Sequence, residues 1–229
     1  MYVRKYQHGF TLVEILIAIS ISVVITSAFY QIFLSQQRSY LVQEQVAAMQ
    51  QNLRTGLHMM VRDIRSAGKD SEIAGLTRFV ADFAPPNDIF ATDIDYAVNR
   101  NILAFTTDFN ENGTIDATRF EMNAYRLNGN ILQRYNVQLD PNPTLRWETV
   151  AANIDALDFV LLAQDGTVTT NPANATAVEI TLLVRTDQKD THYTSTPPYL
   201  NKRGQNICPA CSADNYRRRL LSTTVAVRN

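Results

Sequence analysis

Hydrophobic and polar positions divide this chain into an unbroken apolar run, a helical stripe and an alternating remainder. From Ile15 to Gln37 there is no Asp, Glu, Lys or Arg, and most positions are Ile, Leu, Val, Ala or Phe. A helix of roughly 20 such residues crosses a bilayer core of about 30 Å. Beyond it, Val42, Val46, Met49, Leu53, Leu57, Met60, Ile64 and Ala67 recur at every third or fourth position. That spacing lays one apolar stripe along a helix. Gln43, Glu44, Gln50, Gln51, Arg54, Arg62 and Arg65 take the other face. No proline precedes Pro85, so nothing breaks the helix between span and stripe. One helix from Phe10 to about Ala67 is predicted, on the order of 85 Å long. Arg62 and Arg65 in its last turn and Gly68 just beyond form a stop signal. The stripe fits a coiled-coil seam or half of a globular core. Docking on a sheet is the favoured reading, because the strands that follow need a partner layer. His58 lies beside the stripe and reads as structural.

After Gly68 the period changes from helical to extended. Ile102–Asp108, Phe120–Leu127 and Ile131–Tyr135 are strand candidates, with Asn128-Gly129 between the last two. Asn-Gly is a strong hairpin signal because both residues accept positive φ. Leu157–Ala163 and Ala177–Arg185 form a second pair around Asp165-Gly166, and a last strand runs from Leu220 to Val227. The expected fold class is α+β: a long N-terminal helix whose amphipathic half covers one face of a mainly antiparallel sheet of about five strands. The segments Phe83–Asp88 and Asp187–Asn215 read as irregular, the latter holding Pro197-Pro198 and both cysteines.

Composition narrows the function classes. A net charge of −1 over 229 residues lacks the basic face of a nucleic-acid binder, so no nucleic-acid partner is expected. Enzyme motifs are missing as well: there is no G-x-S-x-G, no H-E-x-x-H and no phosphate-cradling glycine loop. Asp93, Asp95, Asp155 and Asp158 read as loop and strand-edge acids, and Arg217-Arg218-Arg219 as a solvated strand entrance. Cys208 and Cys211 are spaced C-P-A-C. Zinc needs about four ligands, and His8, His58 and His192 complete no such set. A thioredoxin-like site wants its first cysteine at a helix start after a strand. A short structural disulfide in an oxidising compartment is the remaining reading. Asp108, Asn110, Asn112, Thr114 and Asp116, with Gly113 at the sixth position, are spaced like the front of a calcium loop. The twelfth position, however, is Arg119, so a hairpin loop of turn-favouring residues competes with a calcium site. No cofactor is required on this reading; calcium is the one candidate.

The N-terminus carries the most specific signal. Gly9-Phe10-Thr11-Leu12-Val13-Glu14 runs directly into the apolar span, after a short leader holding Arg4 and Lys5. A secretory signal would have a shorter core ending in small residues, whereas Ser20, Ser22 and Ser27 lie within the run. Basic residues before the span keep the N-terminus cytoplasmic. Glu14 stands inside a membrane-length apolar segment at a cost of at least ~2–3 kcal/mol, which usually marks a partner. This constellation resembles the type IV prepilin signature. The resemblance implies a 1–9 leader that prepilin peptidase removes between Gly9 and Phe10, with N-methylation of Phe10. It also implies that Glu14 serves assembly by pairing with the processed α-amine. Residues 10–37 would then be the transmembrane and filament-core helix, 38–68 the amphipathic helix, and 69–229 the sheet domain.

Within the superfamily, Gln43–Arg54, Met60–Gly68 and the end from Arg218 to Asn229 resemble PilW-type minor pilins. J-type pseudopilins of type II secretion share the plan and the terminal Arg-Asn. The resemblance implies a single-pass protein of the bacterial inner membrane, with its C-terminal domain periplasmic, that later reaches the pilus and cell surface. Its implied partners are prepilin peptidase, membrane lipid before assembly, the inner-membrane assembly platform, other minor pilins and the major pilin.

Overall fold

The computed structural model describes residues 9–67, 102–106, 122–136, 147–171 and 174–227. The chain divides into two compact units, Met1–Glu44 and Gln45–Asn229. One helix, α1 (Leu12–Arg65), begins in the first unit and ends in the second. Among the described residues seven strands follow: β1 (Ile102–Thr106), β2 (Met122–Asn128), β3 (Ile131–Asn136), β4 (Trp147–Ala152), β5 (Ile154–Leu162), β6 (Ala177–Arg185) and β7 (Arg218–Ala226). The fold class is α+β, as the pattern predicts.

In the first unit α1 has only itself for support. Its apolar side chains from Leu12 to Leu41 are almost all exposed, Phe10 before it included. Ser20 and Ser22 donate their hydroxyls to the carbonyls of Leu16 and Ala18, and Ser27 to that of Val24. The hydroxyls are thereby satisfied within the helix, where apolar surroundings would penalise them otherwise. Among the described residues α1 is the one helix long and apolar enough to cross a membrane.

In the second unit the helical stripe docks on strands and makes no coiled-coil seam. Met49, Leu53, Leu57, Met60, Ile64 and Ala67 are buried with Leu103, Phe105, Tyr125 and Leu132 from one sheet and Leu157, Phe159, Ile180 and Leu182 from another. Gly56 is buried in the same face. A Cβ there would meet Leu132 Cδ2 at 3.0 Å, Leu182 Cδ2 at 3.6 Å and the Ala151 Cβ at 3.8 Å. The missing side chain thus lets the helix lie close to both sheets at one point. His58 points to solvent.

The single five-stranded sheet expected from the sequence is incorrect. The strands form an antiparallel four-stranded sheet, β1-β2-β3-β4, and an antiparallel three-stranded sheet, β5-β6-β7. The change of sheet occurs at one residue, Asn153, between Ala152 and Ile154. Asn153 has φ 61°, a left-handed conformation that Asn accepts better than most residues. Its carbonyl receives the Arg185 N–H at 2.9 Å, and Ile154 N–H donates to the Asn130 carbonyl at 3.0 Å. The corner is therefore bonded to both sheets.

Strands β5 and β6 are buried over nearly their whole length because both faces of their sheet are covered. Leu157, Phe159, Ile180 and Leu182 face the core shared with α1. Ala156 and Leu183 face Cys208, Cys211, Tyr199 and Ile207 of the segment between β6 and β7. A strand covered on both sides tends toward an apolar run, and Ala177–Arg185 is apolar except at Glu179, Thr181 and its last residue, Arg185.

A non-Gly side chain in the left-handed region costs roughly 1–2 kcal/mol, with Asn and Gly exempt. Replacing Asn153→Ala should lower unfolding free energy by about that amount, whereas Asn153→Gly should stay within ~1 kcal/mol of the parent. Urea unfolding of the full chain in detergent checks this, and equal losses in both variants would contradict the corner's role.

Candidate assembly site and its surroundings

Thr11 and Glu14 build the start of α1. Thr11 is its N-cap, and its carbonyl accepts the Ile15 N–H at 3.3 Å. Its hydroxyl oxygen also accepts the Glu14 N–H at 3.3 Å. In return the Thr11 backbone N–H and hydroxyl both donate to Glu14 Oε2 at 2.8 Å. This reciprocal T-x-x-E pattern is a capping box, which satisfies donors that a helix start otherwise leaves open. The sequence reading assigned Glu14 to the α-amine of Phe10 and missed its bond to Thr11, although Thr at i−3 signals a capping box. In the unprocessed chain Phe10 is peptide-bonded to Gly9 and has no free amine. The carboxylate is held by Thr11 and remains at the exposed helix start.

Two polar clusters hold the second unit together. Asp63, on the buried face of α1, accepts the Tyr125 hydroxyl at 2.7 Å. Arg134 Nε lies 2.9 Å from the same carboxylate oxygen, and its Nη1 reaches Glu148 at 3.3 Å. The helix is thus tied by charge to β2 and, through Arg134, to β3 and β4. Burial, reinforced by the adjacent Asp63 carboxylate, pushes the Tyr125 phenol well above its ordinary range.

The second cluster corrects the reading of the arginine run. Arg218 is no solvated entrance: its side chain is 3% exposed and pairs with Asp155 and Asp214. Its Nη1 and Nη2 reach the two Asp214 oxygens at 2.6 and 2.9 Å, a bidentate geometry that suits guanidinium. Asp155 also receives Arg185 Nη1 at 3.3 Å, and Ser195 Oγ donates to Asp214 Oδ1 at 3.1 Å. Asp155 and Asp158 both lie in β5, an edge strand of its sheet, but neither is a solvated acid: the Asp155 side chain is ion-paired and buried, and Asp158 is buried and accepts the Asn201 amide at 2.9 Å. Arg217 pairs with Asp190 at 2.7 Å and lies over the Tyr193 ring. Cys208 and Cys211 form a disulfide with Cα atoms 5.2 Å apart. Asp187–Asn215 is irregular but anchored: the disulfide packs on Ala156 and Leu183, and the aspartate pairs fix its end.

The calcium-loop residues Asp108, Asn110, Asn112, Thr114 and Asp116 lie outside the described residues, as do Asp93, Asp95 and Gly68. Gly9 is exposed just before the helix, and a Cβ there would meet nothing within 4 Å.

Residues 42–197, from the amphipathic half of α1 to beyond β6, match the model of a family described as prepilin peptidase-dependent protein B. The chain belongs to that family. Residues 4–30 separately match the prokaryotic N-terminal methylation motif, which contains Gly9, Phe10, Thr11 and Glu14. The chain is thereby a type IV pilin-superfamily protein. It is similar in structure to a type IV-like pilin, TTHA1219, from Thermus thermophilus. That likeness has a TM-score of 0.47 at 14% identity and covers 77% of this chain and 95% of that one. No curated protein matches the chain.

The hydrogen bond from Arg218 lowers the Asp214 carboxyl far below its usual 3.8, with smaller help from Tyr216 N–H and Ser195. A depressed carboxylate stabilises the fold above its unfolded pKa, and that stabilisation is lost as pH falls toward the folded value. The Asp214→Asn variant should therefore be less stable than the parent at about pH 6, with the gap closing below about pH 4. Chemical unfolding of both proteins from about pH 6 down to about pH 2 measures the gap; one that stays constant with pH would contradict the assignment.

Proposed function

We propose that this chain is a minor pilin that takes part in initiating type IV pili or in assembling their tip. The exposed apolar half of α1, broken by no charge from Ile15 to Gln37 and opened by Glu14, carries this reading. Such a surface is unfavourable in water. It suits two environments in succession: lipid before assembly and the packed helices of other subunits afterwards. The chain rests in the inner membrane with the sheet domain on the periplasmic side, consistent with basic residues before the span. Prepilin peptidase cuts between Gly9 and Phe10 and methylates Phe10. Family membership and the methylation motif support that step.

Cleavage then creates a cation one residue before Thr11, and Glu14 is the acid nearest to it in sequence. In an apolar environment an unpaired carboxylate is costly. Pairing Glu14 with the amine of a neighbouring subunit draws an incoming chain into register. The partners are other minor pilins, the major pilin and the inner-membrane platform. The work is packing and recognition, not catalysis. A pseudopilin of type II secretion is the second reading, favoured by the terminal Arg228-Asn229 shared with the J-type subunits. Scoring surface pili after in-frame deletion separates the two: loss of pili restored by the intact gene supports the first, and normal pili with failed secretion the second.

The capping box allows the charge of Glu14 to be tested apart from its fold role. A Gln at the third helical position still reaches back to the N-cap N–H, so Glu14→Gln keeps the helix start and removes the charge. We expect it to reduce the amount of this subunit in sheared surface filaments at least tenfold, with unchanged membrane levels. Wild-type incorporation of Glu14→Gln would contradict the charge-pairing step.

A further inference from the structure

We propose that the free edge of β7, with the cleft beside Glu179, docks an extended segment of a partner protein that carries a Lys or Arg. The site lies wholly within Gln45–Asn229 and stands independently of Glu14 and of the processing reading.

The register of β6 and β7 determines which backbone groups face outward. Thr186 N–H donates to the Arg217 carbonyl, and Val227 N–H donates to that of Thr176, flanking the paired strands. In an antiparallel ladder alternate residues bond to the partner. Residues 219, 221, 223 and 225 of β7 therefore turn their N–H and C=O toward β6. Leu220, Ser222, Thr224 and Ala226 turn theirs away. β7 ends the order of its sheet, and among the described residues no strand pairs with that edge. Ser222, Thr224 and Ala226 are exposed. From Leu220 to Ala226 the edge holds no charge, proline or glycine, the features that ordinarily block strand addition.

The side chains of these outward residues share a face with Glu179, which lies opposite Thr224 in the register. There Glu179, Leu200, Asn201, Lys202, Ser222, Thr223 and Thr224 line an open cleft of about 390 Å³. The Glu179 side chain is 4% exposed, and its ion-pair partner is Lys202 at 3.2 Å, whose own side chain is 54% exposed. A buried carboxylate held by one half-solvated lysine is weakly compensated. A strand added to β7 would lie two strand spacings, roughly 10 Å, from Glu179. A Lys or Arg projecting from it over Thr224 spans that distance together with the glutamate side chain. The backbone edge thus selects an extended segment, and the carboxylate selects a basic residue on it.

The test uses the full chain in detergent micelles and a synthetic peptide, Thr-Val-Thr-Lys-Thr-Val-Thr, with a control bearing norleucine for lysine. Hydrogen exchange should slow at the amides of Leu220, Ser222 and Thr224, and the lysine peptide should bind at least tenfold tighter. Thr224→Pro removes an outward N–H and leaves the β6 ladder intact, so it should abolish binding while the chain stays folded; Ser222→Pro, which also removes the hydroxyl contact to Thr181, is the second such variant. Glu179→Gln should erase the preference for lysine. No protection of the three amides, equal binding of both peptides, or undiminished binding to a folded proline variant would each overturn the proposal. Protection that rises with protein concentration alone would also overturn it, by assigning the edge to a second copy of this chain.

Discussion

Burial of one face of α1 against two sheets at once is the constraint on which the folded unit depends. From Met49 to Ile64 the helix supplies five large apolar side chains, followed by Ala67 just beyond its end, to a core that also contains residues of all seven strands. Removing one large member of such a core usually costs about 2–5 kcal/mol. Apolar packing is not directional, however, and a helix on a sheet can slide by a turn. Gly56 and Asp63 remove that freedom. Gly56 fits where Leu132, Ala151 and Leu182 converge, and Asp63 meets Tyr125 and Arg134 in a position that no neighbouring turn reproduces.

The same helix therefore answers to two different demands along its length. Through Leu41 its large apolar side chains are almost all exposed. From Met49 onward its apolar face is satisfied within the chain. The filament-subunit role we propose would use this division: the first half exchanges between lipid and other subunits, and the second holds the domain on whatever the first half joins. The C-terminal segment adds a third layer. Disulfide, aspartate–arginine pairs and aromatic contacts fasten it to the sheet face turned away from α1, where apolar area alone is small.

Sequence pattern reveals some of these features and hides others for physical reasons. The limits of β6 are legible because Ala177–Arg185 is rich in Val, Ile and Leu, and the β2–β3 hairpin because Asn128-Gly129 has its own turn chemistry. Strand β4 is not legible: Trp147–Ala152 neither alternates cleanly nor runs apolar, since only Ala151 is buried in it. The sheet corner is hidden too, because Asn153 makes it alone, with no glycine or proline nearby. Arg218 and Asp155 are 63 positions apart, so a buried ion pair looks like a surface run of arginines until tertiary structure joins them. At the N-terminus, spacing identifies Glu14 as special. The same residue serves a local cap and, on our reading, an intermolecular pair, and only the cap is a property of one chain.

On our reading, cleavage after Gly9 releases the start of α1. Intact-mass and N-terminal fragment spectra of the protein purified from native membranes test it most directly. A chain beginning at N-methylated Phe10 is predicted. A chain that keeps Met1–Gly9 in cells with active prepilin peptidase, or begins at another residue, would contradict it.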